Sequence, residues 1–138
     1  KQPLKLVELA EGALGSLKGK RVAVLGLAFK AGTDDLRETP AVPIVRALAE
    51  RGANVVAFDP QVHEINLPLT LANSMEEAVS AADAVLLVTA WPQFRELPAV
   101  IARQSKPPVL VDGRRFIKPD AVRHYRGIGV SFGQGEMQ

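Results

Sequence analysis

A chain of 138 residues is about one domain long, and with 47% apolar residues it can enclose a real core. Its net charge of +2 is too even for a general nucleic-acid or membrane surface, although it leaves room for a local basic pocket. The absence of cysteine excludes disulfides, thiolate metal sites and a cysteine nucleophile within these residues, and no apolar run approaches the roughly 20 residues of a membrane span.

Residues 3–17, "PLKLVELAEGALGSL", place Leu6, Ala10, Ala13 and Leu17 on one stripe, with Leu4, Val7 and Leu14 beside it. That is helical spacing, and Gly19 is the expected stop. This helix, residues 1–18, is expected to stand apart and lead into a domain covering 19–138. "RVAVLGL" then reads as a buried strand, because its apolar run is continuous rather than alternating. A charged connection follows, holding Lys30, Asp34, Asp35, Arg37 and Glu38. Thr39 is placed as an N-cap and Pro40 as the first helical residue. Ile44, Val45, Leu48 and Ala49 supply the apolar face of that helix and Gly52 closes it; the sequence offers no reason for Pro43.

"ANVVAFDP" is a second strand, ending at Asp59. "SMEEAVSAA" opens on a capping box, Ser74 to Glu77. "DAVLLVTAW" and "PPVLVDGRR" read as the third and fourth strands, with a helix near "LPAVIARQ" between them and a short last strand near "GIGVSF". Alternating strands and helices imply βαβ units with right-handed crossovers. The expected architecture is α/β: an open, mostly parallel sheet with helices on both faces, in three layers.

In such sheets ligands bind beyond the carboxyl ends of the strands, near the point where strand order reverses. Here the first strand runs into Phe29, Lys30, Thr33, Asp34, Asp35 and Arg37. The second ends at Asp59, the third at Thr89 and Trp91, and the fourth at Asp112, Gly113, Arg114 and Arg115. Surface loops are polar in any case, so no one of these residues requires a ligand. As a set on one edge they favour a phosphate-bearing one. Lys30 offers a point charge and Arg114 a planar fork, with Gly113 expected to give the backbone freedom to aim it; Arg115 is the alternative for the arginine that faces the ligand. The usual doubly wound order predicts that their strands are neighbours across the reversal.

Asp59 lies where a dinucleotide fold places its ribose-binding acid. The glycine fingerprint of that fold is missing: the turn reads Gly26, Leu27, Ala28, Phe29, Lys30, Ala31. Asp59 and Pro60 are therefore expected to terminate the strand and nothing more. His63 and His124 lack metal-like spacing and are expected at the surface, and no serine sits in a nucleophile elbow. Asp34 and Asp35 are open to two readings. They could form the acid pocket of a receiver-type signalling domain, or hold their loop by pairing with Lys30 or Arg37.

Four segments, "VAVLGLAFKAGTDDLRETPA", "GANVVAFDP", "ADAVLLVTAWPQFREL" and "LVDGRR", resemble in order and spacing the C-terminal domain of the UDP-glucose/GDP-mannose dehydrogenase family. Within that family the chain is most similar to bacterial UDP-glucose 6-dehydrogenases. The resemblance spans residues 19–131, and the leading helix resembles the end of the family's central dimerisation region. It implies a Rossmann-like fold that closes over the nucleotide half of a UDP-sugar. Phe29 and Lys30 would line the nucleotide site, and Arg114 would meet uridine or diphosphate groups. Arg37 would face the cleft where NAD lies.

The resemblance further implies a parent enzyme that oxidises UDP-glucose to UDP-glucuronate in two NAD-dependent steps. NAD would be held mainly by an N-terminal domain absent from this chain, and the parent would be a homodimer. With no cysteine and no dinucleotide turn, the 138 residues are expected to be inactive alone. The opening "KQPLKL", which lacks an initiator methionine, agrees with a piece of a longer protein. A cytoplasmic location is expected, with no nucleic-acid or membrane partner. The competing expectation is a free-standing nucleotide-binding or receiver-type module. UDP-glucose, UDP-N-acetylmannosamine and GDP-mannose are not separated by the sequence.

Overall fold

The first strand sets the layering. Val22 and Val24 pack to one side of the sheet, Ala23 and Leu25 to the other, and all are fully buried, as a strand covered on both faces requires. The computed structural model describes residues 4–28 and 39–127. Among these, six parallel strands form one sheet: β1 (Arg21–Leu25), β2 (Asn54–Phe58), β3 (Thr70–Leu71), β4 (Ala84–Leu87), β5 (Val109–Asp112) and β6 (Tyr125–Gly127). Their order is β3-β2-β1-β4-β5-β6, which is doubly wound and reverses between β1 and β4. The expected three-layer α/β architecture is the one the chain adopts.

Helices α1 (Leu4–Leu14) and α2 (Ala41–Glu50) cover one face; α3 (Met75–Val79) and α4 (Leu97–Ala102) cover the other. The first layer joins Leu6, Val7, Ala10 and Leu17 to Val24, Ile44, Leu48 and Val111. The helix expected to stand apart is thus a layer of the domain's own core. Burying Leu6 and Val7 of this helix contributes about 1.5–3 kcal/mol each, and the sheet is the surface available to bury them. This helix also stops earlier than expected. Gly15, at φ 83°, turns the chain, and its N–H reaches the carbonyl of Glu11 at 2.8 Å.

The start of α2 follows the expected capping. The Ala41 N–H donates to Thr39 Oγ1 at 3.2 Å, and Pro40 already has helical angles (φ −66°, ψ −13°). Pro43 is also accounted for: Val42 N–H takes the Thr39 carbonyl at 3.4 Å, the acceptor that a residue at position 43 would otherwise have used. The capping box at α3 is present with a small shift. Glu77 N–H donates to Ser74 Oγ, while the Glu77 carboxylate accepts from Asn73 N–H rather than from Ser74.

Two strands differ from the sequence-based expectation. The two-residue β3 has too few residues to show a pattern. The last strand begins at Tyr125, before the "GIGVSF" segment, whose residues from 128 on lie outside the described part.

At the reversal point the chain passes very close to itself. Gly26 N–H donates to the Phe58 carbonyl, while the Val88 and Thr89 N–H groups both reach the Leu25 carbonyl. Gly26 holds φ 97°, and a Cβ built there would stand 2.5 Å from Thr89 N and 2.8 Å from Thr89 Cα. Backbone cannot yield as a side-chain tip can. Gly26→Ala should therefore destabilise the domain by about 2–5 kcal/mol, summing left-handed strain and overpacking. Urea unfolding followed by the fluorescence of Trp91 measures it; an unchanged midpoint would mean that the backbones do not pack this closely.

Candidate functional site

The buried polar or charged residues among those described are Thr39, Asp59, Thr89 and Asp112. All lie at the carboxyl edge of the sheet or in the connection leaving it, where the sequence places the candidate ligand contacts. Their bonding explains what each does.

Asp59 is 1% exposed and spends its carboxylate on the protein. Oδ2 accepts from Leu27 N–H at 2.7 Å, Ala28 N–H at 3.0 Å and the Trp91 indole at 3.1 Å, while Oδ1 accepts from Gln61 N–H at 2.9 Å. The consecutive donors Leu27 and Ala28 stand where a dinucleotide fold would offer its turn to pyrophosphate. Here an internal carboxylate fills that place. Asp59 does more than end a strand: it joins the exits of β1, β2 and β4.

Ala28 is held at both ends. Its N–H is on Asp59, and its carbonyl accepts from Thr89 Oγ1 at 2.8 Å and from Thr39 Oγ1 at 3.5 Å. Ala28 and Thr39, which flank residues 29–38 in the sequence, are thus tied to each other by a buried hydrogen bond. Phe29, Lys30 and Arg37, three of the four expected contacts, fall in that segment, outside the described residues, as do Asp34 and Asp35.

Arg114, the fourth, is exposed just past β5. Its strand is not the neighbour of β1, contrary to the expectation from strand order, because β4 lies between them. At about 4.8 Å per neighbouring strand, the exits of β1 and β5 stand about 10 Å apart. Gly113 also has a different reason from the one expected. A Cβ there would meet Leu6 Cδ1 at 2.9 Å and the Leu87 carbonyl at 3.0 Å, so glycine admits α1 against the sheet. The residue with a left-handed backbone is Arg115, at φ 53°.

Asp112, fully buried, organises this loop. Oδ1 accepts from Arg114 N–H at 3.0 Å; Oδ2 accepts from Ile117 N–H at 2.7 Å and from the Tyr125 hydroxyl at 3.0 Å. Burial first, then the charge and hydrogen bond of Asp112, push the Tyr125 hydroxyl well above its ordinary pKa of 10.0, with Arg115 pulling weakly the other way. From the β4 side, the Arg95 guanidinium lies 4.1 Å from the centre of the Phe116 ring.

His63 and His124 are exposed as expected, and no cluster of metal-ligating side chains exists among the described residues. A cavity of about 730 Å³ opens at the opposite, amino edge, between Ala81, Asp83, Lys106, His124 and Arg126, away from the strand exits. No described helix is long and apolar enough to cross a membrane.

Comparison with known proteins agrees with this fold. Residues 23–119 match the model of the UDP-glucose/GDP-mannose dehydrogenase family, UDP binding domain. The chain is 41% identical over 136 residues to a UDP-glucose 6-dehydrogenase of Pseudomonas aeruginosa, covering 88% of this chain and 30% of that protein. Among solved structures, a UDP-glucose dehydrogenase from Pyrobaculum islandicum superposes with a TM-score of 0.79 at 36% identity, covering 91% of this chain and 29% of that one. A UDP-D-ManNAc dehydrogenase from Pyrococcus horikoshii follows at 0.76 and 30% identity, covering 92% and 30%. The chain thus spans under a third of the length of the relatives it matches.

The bonding of Asp59 and Tyr125 leads to separate expectations. An amide at position 59 accepts through one oxygen only, so Asp59→Asn should lower stability by about 1–3 kcal/mol in urea unfolding while leaving nucleotide affinity nearly unchanged. Unaltered unfolding combined with lost NAD binding would instead assign Asp59 to a ribose. For Tyr125, the folded state holds the proton more tightly than the unfolded one. Its contribution is complete below pH 10 and is lost as pH rises beyond it, by at most about 1.4 kcal/mol per pH unit. Tyr125→Phe should flatten that alkaline loss relative to the parent; parallel curves would show that the hydroxyl is not held this way.

Proposed function

We propose that this chain, which belongs to the UDP-glucose/GDP-mannose dehydrogenase family and carries its UDP binding domain, grips the diphosphate of a nucleotide sugar at the carboxyl edge of its sheet. The observation that carries the proposal is the pinned exit of β1. Asp59, Thr89 and Thr39 close the base of a connection that contains Phe29, Lys30 and Arg37, and Arg114 leaves β5 on the same edge. Phe29 and Lys30 line the nucleotide site, Lys30 and Arg114 take the phosphates, and Arg37 faces the nicotinamide cofactor.

The sugar nucleotide proposed is UDP-glucose. The parent protein is proposed to be an NAD-dependent UDP-glucose 6-dehydrogenase, working as a homodimer in the cytoplasm. Its NAD and its covalent nucleophile come from regions outside these 138 residues, since this chain has no cysteine. Here Asp59 fills the donors that a dinucleotide turn would offer, which favours nucleotide-sugar binding over NAD binding by this domain. The chain's own part is to bind and orient the nucleotide, not to perform the oxidation.

An NMR shift titration with millimolar UDP tests the assignment. Lys30→Met or Arg114→Ala should each weaken binding by about 1.5–3 kcal/mol, roughly tenfold or more, and the parent's affinity should fall with added salt. If both variants bind UDP like the parent, the site lies elsewhere.

A further inference from the structure

Arg114 is exposed and makes no side-chain hydrogen bond or ion pair among the described residues, yet its backbone N–H is held by a buried carboxylate. The loop from Gly113 to Phe116 hangs on one carboxylate. Asp112 takes the N–H of Arg114 at the loop's start and that of Ile117 just past its end. Between these points Arg115 turns the chain with a left-handed backbone, a conformation that a non-glycine residue adopts only when its surroundings hold it there. Arg95 covers Phe116 from the β4 side and donates to its carbonyl at 3.4 Å.

The third donor to Asp112 comes from another strand. Tyr125 opens β6, at the edge of the sheet, and its hydroxyl reaches Oδ2, the oxygen that also holds Ile117. A single turn would need the two backbone donors only. The tyrosine ties the turn to the neighbouring strand and fixes the plane of the carboxylate, and through Oδ1 the position of Arg114 N–H.

We propose that Asp112 and Tyr125 are positioning residues for Arg114: a buried carboxylate and a cross-strand hydroxyl that hold the arginine's backbone ready for an anionic ligand, so that less freedom is lost when the phosphate binds. This deepens the nucleotide-sugar reading and rests on it. Preorganisation of this kind raises affinity without adding a contact. Its signature is that Tyr125 matters only while Arg114 is present.

The test is a double-mutant cycle with UDP as the probe, read by NMR shift titration of the parent chain, Tyr125→Phe, Arg114→Ala and the double variant. Tyr125→Phe keeps the ring and removes one hydrogen bond, so the fold should persist where Asp112→Asn is liable to unfold; Trp91 fluorescence melts confirm it. The expected result is a loss of about three- to tenfold in UDP affinity for Tyr125→Phe and a further loss below about twofold when it is added to Arg114→Ala. Equal losses in both backgrounds would overturn the proposal, making the tyrosine a structural tie alone. So would parent-like binding by Tyr125→Phe beside weak binding by Arg114→Ala, which leaves the diphosphate site standing. Parent-like binding by Arg114→Ala would overturn both.

Discussion

The reversal point of the sheet depends on one buried anion meeting several backbone donors. Burying a carboxylate is costly unless its oxygens are satisfied, and Asp59 achieves this with N–H groups from the exits of β1 and β2 and the indole from the exit of β4. The requirement works in both directions. The anion needs the donors, and the donors, in a turn without helical partners, need an acceptor. Gly26 is part of the same constraint, because only a residue without a Cβ lets β1 turn against the Thr89 backbone and present Leu27 and Ala28 to the acid.

A second carboxylate repeats the device at β5. Asp112 gathers the loop donors there as Asp59 gathers those of the first turn, and both acids lie beneath an edge from which arginines project. Interior acids bound to N–H groups shape the loops, while exterior cations stay in solvent, where a phosphate can reach them. The division limits what each residue can do for a ligand. Asp59 and Asp112 act within the fold, whereas Arg114 is exposed at its edge and, on the proposed reading, meets the ligand.

Much of this was legible in the sequence, and the reasons are specific. The continuous apolar runs at Val22–Leu25 and Ala84–Leu87 announced strands covered on both faces, and the polar residue at each strand end marked the carboxyl edge of the sheet. Thr39 and Pro40 announced the start of α2. What the sequence hid depends on contacts between distant residues. Nothing in "VDGRR" says that Tyr125 bonds to Asp112, or that Gly113 exists to admit Leu6. β3 was invisible because two residues carry no period. The role of Asp59 was half legible: the missing glycines argued against a dinucleotide, but the local sequence could not show that the acid turns inward to donors of the first turn. Its four partners come from three separate segments. Phe29, Lys30 and Arg37 lie outside the described residues, and their roles rest on resemblance.

The same topology can thus serve two different ligands according to one side chain's direction. In a dinucleotide domain the first turn gives its N–H groups to pyrophosphate and the acid after the second strand faces a ribose. In this chain the acid faces the turn instead, so the donors are satisfied before any ligand arrives. That satisfaction leaves the segment after Ala28 with no need to wind at once into a helix N-terminus. Thr39, the first described residue after that segment, shares the Ala28 carbonyl with Thr89. Anion recognition, on the proposed reading, then passes from backbone donors at a helix start to side-chain cations at loop ends. Side chains reach farther than a backbone turn but pay more entropy on binding, and that is the cost which tight anchoring of the loops at Ala28 and Asp112 reduces.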